Sequence, residues 1–179
     1  MRKILVLIGL LFLTSFASAS TVTVSVSDVS GGSGATVEVP IDLTDATDIG
    51  SMDIRMSYDG DVLQAMGVDT GELGGNAYIE SNTASDGVVF IALADASGIS
   101  GTGTVAVVSF EVLGDTGSTS SLALEDVSVH DIERVEVITT TEDGTFSVTD
   151  EAKGAGYASA SLLAAGAILM ALFFIKRRR

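Results

Sequence analysis

Apolar and polar side chains alternate through SMDIRMSY, residues 51–58. Met52, Ile54, Met56 and Tyr58 fall on one side, and Ser51, Asp53, Arg55 and Ser57 on the other. A period of two is that of a β-strand with one buried face. Asp59-Gly60-Asp61 then makes a tight corner, and Val62-Leu63 resumes the apolar run. Further Val- and Thr-rich runs lie at 21–27, 36–43, 87–94, 104–113, 121–129, 134–140 and 144–149, separated by Gly-, Ser- and Asp-rich clusters such as SGGSG, SGISGTG and GDTGST. Short strands with turn signals at this spacing predict a β-sandwich. Pro40 falls inside a strand pattern and predicts an edge or a bulge there. The run GVVFIALA is apolar on both faces, with Val89, Ile91 and Leu93 on one and Val88, Phe90, Ala92 and Ala94 on the other. Such a strand is either covered on both sides or shows an apolar patch to a partner. No internal repeat is visible.

The two ends carry a different pattern. Residues 1–19 have a basic start (Arg2, Lys3), a short apolar stretch from Ile4 to Phe16 and a small-residue Ala17-Ser18-Ala19 site, which predict a secretory signal peptide. Residues 155–175 are uncharged, and as a helix they reach about 31 Å, enough to cross the hydrocarbon core. Lys176-Arg177-Arg178-Arg179 follows directly and places the C-terminus on the cytoplasmic side. The expected organisation is a signal peptide (1–19), an exported domain (20–150), a short linker (151–154), a transmembrane helix (155–175) and a basic cytoplasmic tail (176–179). Pro40 is the only proline, so no Leu-Pro or Pro-Gly-Phe sorting motif precedes the span. Membrane retention at the cell surface is the expectation.

Charge narrows the choice of partners. All 24 acidic residues lie between residues 20 and 151, against two cations there, Arg55 and Arg134, which gives that segment a formal charge of −22. Nucleic acid and anionic membrane surfaces need cationic protein and are excluded as partners of this domain. With no cysteine, the exported domain relies on its core rather than on disulfides.

Catalytic chemistry is sparse. One histidine, His130, and no cysteine leave few nucleophile or metal constellations, so no enzyme activity and no cofactor are expected. Asp42, Asp45 and Asp48 recur every third residue and are candidate calcium ligands, but without the order of an EF-hand loop. A carbohydrate-binding module would share the sandwich, yet there is no Trp to build a flat aromatic strip.

Four stretches carry a family resemblance. IRMSYDGDVLQA resembles the cohesin signature of an alternating strand followed by a Tyr-Asp corner and Val-Leu. GVVFIALADASGISGTGTVAVVSFEVLG resembles the cohesin middle. VSVSDVSGGSGATVEVPIDL and LALEDVSVHDIERVEVITTTEDGTFSV are similar to the opening and closing strands. Together they span nearly all of residues 21–149 in order. Gly60 stands where the family usually has Pro, and Gln64 where it often has Glu. The short connection after Leu113 leaves no room for the extra helix of some subtypes, so the simpler type I-like subtype is the nearer match. The resemblance implies an all-β, nine-stranded jelly-roll β-sandwich, one sheet of which receives a dockerin, a small calcium-dependent helical module. Calcium would then sit on the dockerin side. The resemblance places Ser51, Asp53, Arg55, Val88, Phe90 and Ala92 on the partner face and Gly98 at the corner beside it, with a last strand somewhere within Leu122 to His130. The expected function is a cell-surface cohesin that binds dockerin-bearing proteins. A carbohydrate-binding module and a ligand-free structural protein are the alternatives.

The expected topology is directly testable. Protease added to intact cells should remove the acidic domain and leave a fragment of about 25 residues ending in Arg179. Soluble mature protein in the medium would overturn membrane retention.

Overall fold

The structure is a computed structural model that describes residues 21–150; the expected signal peptide, linker, transmembrane helix and basic tail lie outside the described residues. Nine strands are present among them: β1 (Thr21–Val26), β2 (Val29–Gly32), β3 (Thr36–Ser57), β4 (Leu63–Thr70), β5 (Tyr78–Asn82), β6 (Val88–Val112), β7 (Thr119–Asp131), β8 (Ile138–Glu142) and β9 (Gly144–Thr149). They form one curled, mixed sheet folded into two layers.

Two strands organise it. β3 has 22 residues and β6 has 25, far beyond the usual strand length. They pair antiparallel along most of their course, from Thr36↔Glu111 to Ser57↔Val88. The register shifts four times between Ile41 and Ser51, and there both strands bend from one layer into the other. In the first layer, the early part of β3 lies between β1 and the later part of β6, with β4 and β8 outside them. In the second, the late part of β3 lies between the early part of β6 and β7, with β5 at the edge. The start of β7 pairs with β9, which pairs in parallel with β2.

The aspartate repeat of LTDATDIG has its explanation in this bend. Asp45 and Asp48 adopt positive φ (59° and 50°), which Asp tolerates better than most residues. Their amides, out of regular register, donate to Thr102 Oγ1 (3.2 Å) and Ser100 Oγ (2.8 Å). Asp42 instead accepts from Thr104 Oγ1 at 2.6 Å. Among the described residues no group of three Asp, Glu or His side chains gathers into a metal-binding cluster.

The alternating patterns bury the faces that the sequence predicts. Met52, Ile54 and Met56 from β3 and Val89, Ile91 and Leu93 from β6 enter a single core that also holds Val39, Ile41, Phe110 and Phe146. The corner after β3 is fixed by its own chemistry. Asp59 Oδ1 accepts from the Asp61 amide (3.0 Å), and the Asp59 carbonyl accepts from the Leu63 amide (2.9 Å). Buried Tyr58 meets Phe110 edge to face, with centroids 5.0 Å apart.

Two sequence expectations change and one, on Pro40, holds. The runs at 36–43 and 51–58 are one strand, as are those at 87–94 and 104–113. The strand expected at 134–140 starts only at Ile138, because Arg134 has φ +66° in a turn closed by its amide on the Asp131 carbonyl. Pro40 lies in a strand with neighbours on both sides, but one residue past the last β1 pair, Val26↔Ile41, so it is at a local edge and next to the first bulge.

The face assignment sets a stability test. Ile91→Ala should cost about 2–5 kcal/mol as a core truncation, whereas Phe90→Ala, on the opposite face of the same strand, should leave the thermal midpoint near wild type. The reverse ranking in thermal melts would mean that the strand is inverted.

Candidate functional site

The outer face of the second layer is a four-strand platform, β7-β3-β6-β5, and its register fixes which side chains meet. Going along β3, the first row is His130, Ser51, Ala94 and Tyr78. The second is Ser128, Asp53, Ala92 and Glu80. The third is Asp126, Arg55, Phe90 and Asn82. Because alternate residues face outward, every member of these rows points away from the core.

Six of the seven residues named from the sequence lie on this face. Ser51, Asp53 and Arg55 stand on β3, and Val88, Phe90 and Ala92 on the neighbouring stretch of β6. Asp53, Phe90 and Ala92 are exposed, while Ser51, Arg55 and Val88 are partly covered. Phe90 keeps 44% of its surface accessible, a large value for an aromatic side chain in mid-strand. Gly98 is not on the platform itself but at the corner above it, with φ +82°. A Cβ there would lie 3.1 Å from both Asp48 Cα and Ile132 Cγ2, so backbone conformation and space both call for glycine.

Sequence reasoning left the register of the last strand open. The structure sets Ser128 opposite Asp53 and Asp126 opposite Arg55. Between Arg55 and Met56 the β7 register slips, and Glu125 and Asp126 are both exposed. This bulge turns consecutive carboxylates toward one guanidinium, which period-two reading cannot foresee. Arg55 pairs with Glu125 through Nη1 and Oε2, and its Cζ lies 5.7 Å from the centroid of the Phe90 ring. Both partners of the ion pair are largely solvated, so its energetic value is small, and its main effect is to orient the guanidinium over the ring.

On β5, which the sequence patterning missed, Tyr78 donates its hydroxyl proton to Glu80. That hydrogen bond and the negative charge of Glu80 push the Tyr78 hydroxyl above the ordinary tyrosine range. Between the rows lies an open hollow of about 340 Å³ over Ala92, bordered by Asp53, Arg55, Glu80, Phe90 and Asp126. The arrangement has a small apolar floor, two exposed aromatics, Phe90 and Tyr78, and a polar rim, which suits a protein surface docked on top.

Comparison with known proteins gives the same outline. Residues 22–148 match the family model described as Cohesin domain. A search of curated proteins returns no match. Among solved structures, a non-cellulosomal cohesin from the hyperthermophilic archaeon Archaeoglobus fulgidus is 26% identical with a TM-score of 0.66, covering 72% of this chain and 91% of that one. CaCohA2 from Clostridium acetobutylicum is 25% identical with a TM-score of 0.63, covering 75% of this chain and 94% of that one. A type I cohesin–dockerin complex from Clostridium thermocellum contains a chain 18% identical, with a TM-score of 0.66 over 72% of this chain and 99% of that one, a likeness of fold.

The Tyr78–Glu80 contact predicts a titration. A tyrosine whose folded pKa is raised adds stability that is fully present below its ordinary pKa and is lost as pH climbs through the raised value. In an alkaline NMR titration the Tyr78 ring should therefore ionise above the ordinary tyrosine range, and Glu80→Gln should bring its midpoint back down. A midpoint unmoved by Glu80→Gln would remove Glu80 as the cause.

Proposed function

The chain belongs to the cohesin family, and on that premise we propose that it docks dockerin-bearing proteins on the β7-β3-β6-β5 face and holds them at the cell surface. Cohesin domains are non-catalytic binding modules, and dockerins are their partners in solved complexes of relatives. The observation that carries the reading is the exposed Phe90–Ala92 centre flanked by Asp53, on a strand whose other face is core.

In this reading Asp53 accepts hydrogen bonds from polar side chains of a docked helix. It makes no hydrogen bond or ion pair within the described residues, so its acceptor capacity is available to a partner. Ser51 adds a second polar contact one row above. Phe90, Ala92 and Val88 supply the apolar centre, and Arg55, with its Cζ 5.7 Å from the Phe90 ring centroid, widens it. Gly98 lets the corner between β3 and β6 stay low beside the interface. The sequence-predicted signal peptide and C-terminal span would tether the domain to the membrane, and the few residues expected between Thr149 and the span would keep it close to the surface. Calcium belongs to the dockerin in this scheme.

Two substitutions test the face. A charge-assisted hydrogen bond is worth about 1.5–3 kcal/mol, and an anchor aromatic about 2 kcal/mol or more. Asp53→Ala and Phe90→Ala should thus each weaken dockerin binding by roughly tenfold to a hundredfold in isothermal titration, without unfolding the domain. Wild-type affinity in both variants would move the docking site off this face.

A further inference from the structure

A second apolar cluster lies outside the platform, where β7 ends. The chain turns back on itself there. The Asp131 amide donates to the Val135 carbonyl (2.9 Å), the Val137 amide donates to the Val129 carbonyl (2.9 Å), and His130 bridges Glu136. At this hairpin Ile132, Val135 and Ile138 are 49%, 57% and 56% exposed, and they share an open hollow of about 480 Å³. All three are β-branched, so their stiff χ1 leaves little freedom to lose when a surface covers them. An exposed apolar cluster with a polar rim marks an interaction site. Asp48, Glu133 and Glu136 supply the rim. Arg134 stands in the turn itself, at φ +66°. Arg55 and Arg134 are the only cations between residues 20 and 151. Arg55 pairs with Glu125, the one ion pair among the described residues, so Arg134 has no carboxylate partner there.

This mixture limits what can cover the hollow. A purely cationic surface would meet the rim but bury Arg134 beside like charge. A purely acidic surface would satisfy Arg134 but strand Glu133 and Glu136. The chain beyond Thr149 starts away from the site, because β8 and β9 carry the backbone from Ile138 to Thr149 beside Gly32. What fits is a surface that combines apolar side chains, one cation and several carboxylates, and another copy of this hairpin is such a surface. We propose that the 131–138 hairpin is a self-association surface that pairs two copies of this chain. Two-fold pairing presents the same patch from both sides. The apolar side chains then close on one another, and the Arg134 of each copy reaches a rim carboxylate of the other. Two segments at −22 repel as they approach. The contact is therefore weak in dilute salt and strengthens as salt screens the repulsion, the reverse of a contact between oppositely charged partners. On the docking reading such a pair presents two platforms, which favours a partner that carries two modules. That consequence rests on the docking reading, and the pairing itself does not.

The chain has no cysteine, so single cysteines introduced into the full chain report the contact. In cells that express the full chain, Val135→Cys treated with a short bis-maleimide should give at least about tenfold more cross-linked dimer than Met66→Cys. Met66 is similarly exposed (59%) but stands on β4, in the other layer. Adding Ile138→Asp or Arg134→Asp should bring the Val135→Cys yield down to the Met66→Cys level. Asp tolerates positive φ, so the turn at 134 survives its substitution. In membranes isolated from the same cells, the Val135→Cys yield should rise as salt is raised from about 0.1 M to about 1 M. A Val135→Cys yield no higher than that of Met66→Cys would overturn the pairing. So would a yield that survives both added substitutions, or one that falls as salt rises. No dockerin is present in the assay, so its result is read apart from the docking reading.

Discussion

The antiparallel pairing of β3 with β6 is the constraint on which the rest of the structure depends. Each strand belongs to both layers, so their shared bend between Ile41 and Ser51 sets the curl of the sheet. It also decides which residues of β3 look into the core. A slip of one residue past the bend would turn Met52, Ile54 and Met56 outward and bury Ser51, Asp53 and Arg55. Core and platform are thus one decision, and the bulges that permit the bend are held by specific amide–hydroxyl bonds to Ser100 and Thr102.

Much of this was legible in the sequence, for a local reason. Where one face of a strand is buried and the other wet, alternation reports both faces at once, as in SMDIRMSY, whereas GVVFIALA is apolar on both faces and only the family resemblance tells them apart. What was hidden has physical causes too. β2, VSGG, is short and glycine-rich, and β5, YIESN, is an edge strand with little buried surface, so neither shows a clean period. The continuity of β3 through LTDATDIG was masked because bulges break the period that marks a strand. The pairing of Ser128 with Asp53 depends on a bulge in another strand, and no local pattern carries that information. The two acids that face Arg55 read in the sequence as ordinary surface charge.

The same charge excess acquires a different meaning once positions are known. A segment at −22 is expected to scatter its acids over its surface. Here the platform concentrates three around an apolar floor, while one of the two cations of the domain is spent on an aromatic ring. Bulk composition argues against nucleic acid as a partner, whereas the local arrangement sets three acids around an apolar floor on one face. The second statement needs the register, and the first does not.

The parallel pairing of β2 with β9 has a mechanical consequence. The last strand leaves the fold at Thr149 beside Gly32, bonded to β2 on one side and to the start of β7 on the other. A pull on the C-terminal end along β9 meets both ladders in shear, so their hydrogen bonds share the load instead of opening one after another. Gly144 makes this lock compact, since a Cβ there would lie 2.7 Å from the Val26 and Ser27 carbonyl oxygens. A domain tethered through this strand would carry tension into the middle of the sheet, where the core resists it, rather than peel from an edge.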